Sequence, residues 1–178
     1  MNSNHASSAP SAWVTRWAGL IRPGGSVLDV ACGAGRHSLW LAARGHPVVA
    51  VDRDPAIQTW ASAVSGVSWM VADLEAGNWP LEGRRFDAIL VTNYLHRPLF
   101  PSLLDSLSPG GLLVYETFAQ GNERFGRPSN PDFLLQPGEL LERVLGQLRV
   151  LAYEDVEEGL PRPAMMQRIV ARRGEGGG

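Results

Sequence analysis

Along this chain, short runs of apolar and β-branched residues alternate with stretches whose apolar positions recur at helical spacing. Trp13, Val14, Trp17 and Leu20 fall on one helical face, and Pro23-Gly24-Gly25 stops that helix. Residues 26–31 (SVLDVA) follow as a first strand, then a glycine turn and a helix whose stripe includes Leu39 and Ala42 and which Gly45 and Pro47 end. Residues 46–51 are a second strand. Asp54-Pro55 then supplies an N-cap and a first-turn proline for a helix carrying Ile57, Trp60 and Val64. Residues 67–72 form a third strand, and 86–92 (FDAILVT), apolar almost throughout, a central one covered on both faces. A helix over 101–107, a turn at 108–111, a strand over 112–117 and a helix around 139–145 come next. Residues 149–155 and 165–172, across a turn holding Gly159 and Pro161, read as a β-hairpin.

Seven strands interleaved with helices predict an α/β chain built on a doubly wound sheet, mostly parallel, with a C-terminal antiparallel hairpin at its end. The 178 residues suffice for one domain with a sizeable core, expected over 11–173, with 1–10 and 174–178 as flexible tails too poor in apolar residues to pack. Residues 118–136 have no clear period, and a connection that long inside a compact domain is usually functional or disordered; Phe125, Arg127, Asn130, Asp132 and Phe133 favour an ordered lid over disorder.

Composition narrows the function. With 16 basic against 18 acidic residues and no basic run, nothing marks a nucleic-acid partner. No stretch suits an export signal or a membrane span. Cys32 is the only cysteine, which excludes an intrachain disulfide and a multi-cysteine metal site and fits a cytoplasmic setting. No metal is expected, and the chain is expected to be a monomer or a homodimer.

The chemistry concentrates at strand ends. Asp29-Val-Ala-Cys-Gly33-Ala-Gly35 lies between the first strand and its helix, where glycines let backbone approach a ligand. Asp52 ends the second strand, where a carboxylate can take both hydroxyls of a ribose. Asp73 ends the third, where one can accept from an adenine amino group, with Leu74 beside the ring; Asn93 ends the fourth. Taken singly, Asp52 and Asp73 also suit N-caps or turns, and Asn93 a loop closure. Together they occupy the positions where an open α/β sheet binds its ligand.

These residues resemble the class I S-adenosylmethionine-dependent methyltransferases over about residues 25–172. Within that class, VLDVACGAGRHSLWLAARGHPVVAVD, Pro137-Gly138-Glu139-Leu140 and Glu154-Asp155-Val156 are similar to the tellurite-resistance type, from which the lid (NERFGRPSNPDFLL) departs. The resemblance implies a Rossmann-like fold in which the loop holding Asp29, Ala31, Gly33 and Gly35 takes the methionine part of S-adenosylmethionine. Asp52 would take the ribose, Asp73 and Leu74 the adenine, Asn93-Tyr94 would border the methyl group, and Arg53 would also contact the cofactor. It implies transfer by in-line displacement to a small-molecule acceptor, an oxyanion or a thiol among them, with S-adenosylhomocysteine as product. His96 and Tyr94 are the foremost candidates for contact with the acceptor; Arg36, His37, Tyr115, Glu116, Arg124 and Arg127 follow. Cys32 reads as a space-filler, and Trp13, Trp17 and Trp60 as packing residues. Two rivals are an NAD(P)-binding oxidoreductase and a non-catalytic S-adenosylmethionine-binding protein. Against the first, Ser38 stands where G-x-G-x-x-G has its third glycine, and Asp29 precedes the first glycine where the dinucleotide fingerprint has no acid.

Overall fold

The computed structural model describes residues 9–59, 65–159 and 162–176. Seven strands form one sheet: β1 (Val27–Val30), β2 (Val48–Asp52), β3 (Val67–Val71), β4 (Phe86–Thr92), β5 (Leu107–Phe118), β6 (Leu148–Glu158) and β7 (Ala164–Arg173). Their order is β3-β2-β1-β4-β5-β7-β6. The first five run parallel, and β7 pairs antiparallel with both β5 and β6. The chain winds outward from β1 through β2 to β3, then returns across the sheet to β4. This reversal opens a crevice at the carboxyl ends of β1 and β4.

Alternate residues of the central strands supply two cores, because side chains along a strand point to opposite faces. Leu28, Val30, Ile89 and Val91 pack on one face with Phe100, Leu103 and Leu104 of α3 (Phe100–Asp105) and with Leu140 and Val144 of α4 (Glu139–Val144). Val27, Ala88 and Leu90 pack on the other with Trp13 and Val14 of α1 (Ala12–Trp17) and Leu41 of α2 (Arg36–Ala42). This double cover explains why FDAILVT carries so little polarity.

Several element boundaries differ from the sequence reading. The first helix turns 3₁₀ over Ala18–Leu20. The tighter period swings Leu20 out to 41% exposure and brings Ile21 into the core instead. In α2 the buried residues are His37, Ser38 and Leu41, with Leu39 and Ala42 half-buried. After β2, Asp54 accepts the Ala56 N–H at 2.8 Å as a cap should, but the described turn is 3₁₀, Pro55–Thr59; Trp60 and Val64 lie outside the described residues. The helix expected over 101–107 is α3, led by a 3₁₀ turn at Arg97–Leu99.

The turn expected at 108–111 lies within β5 as a bulge. Phe86 faces Leu107 and Ala88 faces Leu112, so only Asp87 stands opposite Ser108–Gly111. Glycine is needed there: Gly110 has φ +73°, and a Cβ on Gly111 would sit 2.7 Å from the Ser108 carbonyl oxygen. The hairpin strands are longer than expected at both ends, and Pro161 in their turn lies outside the described residues. So do most of the expected tails. Of their described parts, Ala9 accepts from Arg36 and Gly174 from the Gly110 N–H, each at 3.3 Å.

Residues 118–136 fold as a strap across the strand ends. Leu135 donates to the Phe118 carbonyl at 3.0 Å and Gln120 to Leu135 at 2.9 Å. Arg97 grips the strap, donating to the carbonyls of Asp132 and Leu134 at 2.8 Å each while its guanidinium pairs with Glu139. Burial works against charge on Glu139. Hydrogen bonds from Arg97, the Gln136 N–H and Arg143 outweigh it and hold the carboxyl at about 2. Among the described residues no helix is long and apolar enough to cross a membrane.

Candidate functional site

The glycine turn is an unusual stretch of backbone. Ala31, Gly33 and Gly35 have φ of +51°, +53° and +73°. The two glycines are needed for different reasons. A Cβ on Gly35 would lie 2.3 Å from the Trp69 ring, so that position serves close packing. A Cβ on Gly33 would meet nothing within 4 Å, so there the open backbone faces empty space.

Asp52 ties the turn to β2. One carboxylate oxygen takes the Gly33 N–H at 2.8 Å and the other the Asp54 N–H at 3.0 Å. Each oxygen keeps a lone pair for a further donor. Behind the turn, Asp29 is fully buried: one oxygen accepts from Ser38 Oγ at 2.6 Å, and the other has no partner among the described residues. Burial pushes its carboxyl up to about 6, against the pull of Ser38 and Arg36. The third-glycine position of a dinucleotide loop is thus filled by a packed hydroxyl.

Beside the turn lies a pocket of about 300 Å³ that brings together Ala31, Asp52, Arg53, Asp73, Leu74 and Tyr94. One Asp73 oxygen takes the Glu75 N–H at 2.9 Å. Burial, then the charges of Glu75 and Asp73, push the Tyr94 phenol up and keep it neutral. Three further walls, Ala72, Glu75 and Phe133, come from outside the predicted set. Phe133 belongs to the strap and is 51% exposed; the sequence marks it only as a residue of the expected lid.

A passage of about 220 Å³ shares Glu75, Tyr94 and Phe133 with this pocket and continues past Asn93 and Phe118. Those two residues also line a crevice of about 1070 Å³ walled by α1, the strap and the hairpin. Asn93 (φ +54°) therefore stands where the narrow and the wide spaces meet. On the hairpin side of the crevice, Arg168 lies buried between carboxylates, donating to Glu116 at 3.0 Å, to Glu154 at 3.3 Å and to Glu158. Of this network the sequence offered Glu116 alone.

Other candidates lie elsewhere. His96 heads the 3₁₀ turn before α3 and lines neither pocket nor crevice. Tyr115 is buried against Phe100 and donates to the Tyr94 carbonyl at 2.8 Å, supporting the loop from behind. His37 is buried and accepts the Ser11 N–H at 3.1 Å, joining α1 to the turn; burial and then Arg36 hold it down at about 4, so it is neutral. Arg36 and Arg127 line the crevice, whereas Arg124 pairs with Glu157 at the surface. Trp13 and Trp17 pack edge to face, and Trp60 lies outside the described residues. Burial, then the charges of Asp29 and Asp52, push the Cys32 thiol far up, so it remains protonated.

Residues 27–111, from β1 through the bulge of β5, match the family model described as Methyltransferase domain. The match is in keeping with the resemblance carried by the strand-end residues. No curated protein matches the sequence. Among solved structures, TehB from Haemophilus influenzae is 22% identical with a TM-score of 0.78, over 95% of this chain and 64% of that one, so the chain spans under two thirds of TehB. A TehB-like SAM-dependent methyltransferase from Corynebacterium glutamicum is 20% identical with a TM-score of 0.69, over 94% and 90% of the two chains. The 1,6-didemethyltoxoflavin-N1-methyltransferase of Burkholderia thailandensis, solved with 1,6-didemethyltoxoflavin and S-adenosylhomocysteine, is 21% identical with a TM-score of 0.65, over 92% and 76%. These likenesses establish the fold: the seven-stranded α/β methyltransferase sheet with antiparallel C-terminal strands.

Proposed function

We propose that the chain is an S-adenosylmethionine-dependent methyltransferase acting on a small-molecule acceptor, an oxyanion or thiol among the possibilities. The observation that carries this reading is a path of adjoining spaces, from a pocket of about 300 Å³ at the strand ends, past Asn93, to a separate and larger crevice. One ligand with a flat base at one end and a reactive group at the other fits such a path, and a second molecule can approach from the crevice. S-adenosylmethionine supplies a sulfonium methyl, which the acceptor's lone pair attacks as the carbon–sulfur bond breaks with its electrons staying on sulfur.

The residues present suit that ligand. Asp52 keeps a lone pair on each oxygen for the ribose hydroxyls. Gly33 leaves room for backbone to approach, and the unpartnered oxygen of Asp29 is an acceptor suited to the α-ammonium. Asp73, Leu74, Tyr94 and Phe133 would hold the adenine, and Arg53 the outer side of the ribose. The protein's contribution is then to fix donor and acceptor within about 3–3.5 Å and to exclude water, which the strap does by covering the strand ends. A thiolate or oxyanion acceptor needs no base. For an acceptor that must lose a proton, Glu116 lines the crevice together with Asn93, whereas His96 does not.

Thermal unfolding with S-adenosylhomocysteine, NAD and NADP in parallel tests the reading. Stabilisation by S-adenosylhomocysteine alone is expected; stabilisation by NAD or NADP alone would overturn it. Binding without turnover on thiols, oxyanions and small metabolites would favour a non-catalytic role.

A further inference from the structure

The crevice beyond Asn93 is large for what a bare oxyanion would need. At about 1070 Å³ it matches the upper range of sites that enclose drug-sized organic ligands, roughly 300–1,000 Å³. Its walls are mixed. Phe118 and Phe125 present aromatic surface, and Met166 and Ala164 on β7 extend the apolar face.

The charges are unevenly committed. Five arginines line the crevice against three glutamates, which leaves an excess of two positive charges. All three glutamates are held by Arg168, and Glu154 also lies 3.7 Å from Arg16. The other three arginines come from separate elements: Arg36 at the start of α2, Arg127 in the strap and Arg162 in the hairpin turn. None of the three has a carboxylate partner among the described residues; Arg36 donates only to the Ala9 carbonyl. A guanidinium without a carboxylate, beside aromatic surface, suits an anionic group on an apolar body, through charge and through stacking.

We propose that the acceptor is an organic anion with an apolar, ring-bearing body, its anionic group met by Arg127 and Arg162 and its body lying along Phe118 and Phe125. The charge that is recognised and the atom that is methylated would then be different parts of one molecule. The acceptor role rests on the methyltransferase reading; the preference of the crevice does not.

A pair of fluorescent probes sharing one aromatic body tests it: 8-anilinonaphthalene-1-sulfonate, which carries an anion, and N-phenyl-1-naphthylamine, which does not. Both are titrated into the full chain saturated with S-adenosylhomocysteine. The sulfonate is expected to bind at one site per chain and about tenfold tighter than its neutral twin. The double variant Arg127→Ala, Arg162→Ala should weaken the sulfonate about tenfold, as loss of two exposed ion pairs implies, while the neutral probe and S-adenosylhomocysteine bind as before. Sodium sulfate should displace the probe no more than sodium chloride of equal ionic strength. Equal affinity for the two probes, an unchanged sulfonate affinity in the double variant, or specific displacement by sulfate would each overturn the proposal. Failure of S-adenosylhomocysteine to bind would instead remove the methyltransferase reading, leaving the probe comparison to decide the crevice on its own.

Discussion

Replacing Asp52 by Ala is the sharpest test of how this site holds its cofactor. The carboxylate already accepts the N–H of Gly33 at 2.8 Å and that of Asp54 at 3.0 Å, one on each oxygen. Two lone pairs remain for two ribose hydroxyls. A hydrogen bond to a charged group contributes about 1.5–3 kcal/mol when desolvated. Asp52 is only half-buried, so roughly 1 kcal/mol for each is the better expectation. Losing both then costs about 2 kcal/mol, or roughly a thirtyfold rise in Kd for S-adenosylhomocysteine. Asp52→Asn keeps one oxygen and should cost about 1 kcal/mol, roughly fivefold. Isothermal titration at fixed salt reads both values, and a melting curve by circular dichroism reports whether each variant still folds. A Kd for Asp52→Ala within about twofold of wild type, in a folded protein, would refute the ribose assignment.

Phe133→Ala should weaken S-adenosylhomocysteine by about 1 kcal/mol, the low end of aromatic stacking on a base, with little change in the melting point of the ligand-free chain because the ring is already half in solvent. The two glycines should separate stability from binding. Gly35→Ala drives a Cβ into Trp69 and should destabilise by about 2 kcal/mol or more in urea unfolding, whereas Gly33→Ala meets no neighbour, costs about 1 kcal/mol of backbone strain, and should lose affinity out of proportion to stability. Glu139, held at about 2 in the folded chain against an ordinary 4.5, stabilises fully above pH 4.5, and that stabilisation disappears as the pH falls through 2. The shift corresponds to about 3 kcal/mol; Glu139→Gln should lack this component, so its urea midpoint should fall less between pH 5 and pH 2.5 than that of wild type.

Where local pattern and global structure coincide, the sequence is readable. Val27–Val30 and Phe86–Thr92 are buried on both faces, so their composition reports their place in the sheet directly. Asp52 and Asp73 could be found because strand ends are where such a sheet binds ligands. Ser108–Gly111 carries every mark of a turn, yet pairing with β4 on either side retains it inside β5. His96 looks well placed by its distance from β4, but the 3₁₀ turn that follows leads it away from the pocket. Phe133 reaches the pocket beside the glycine turn through an irregular segment with no period to read. The pairing of Arg168 with Glu116 joins residues far apart in the chain and follows from strand order alone.

That strand order also separates what can vary from what cannot. Glu116, Arg168 and Glu154 sit side by side across β5, β7 and β6, forming one rung of a three-stranded ribbon that joins the parallel sheet only through β5. Along β7, Ala164, Met166 and Arg168 face the crevice. The intervening Gln167 holds Leu140 of α4 and Gln136 of the strap, and Ile169 packs in the core. On the acceptor role proposed for the crevice, the ribbon would be an exchangeable cassette: alternate positions on its crevice face could change while Asp52, Asp73 and the glycine turn, on the other side of β4, keep their surroundings.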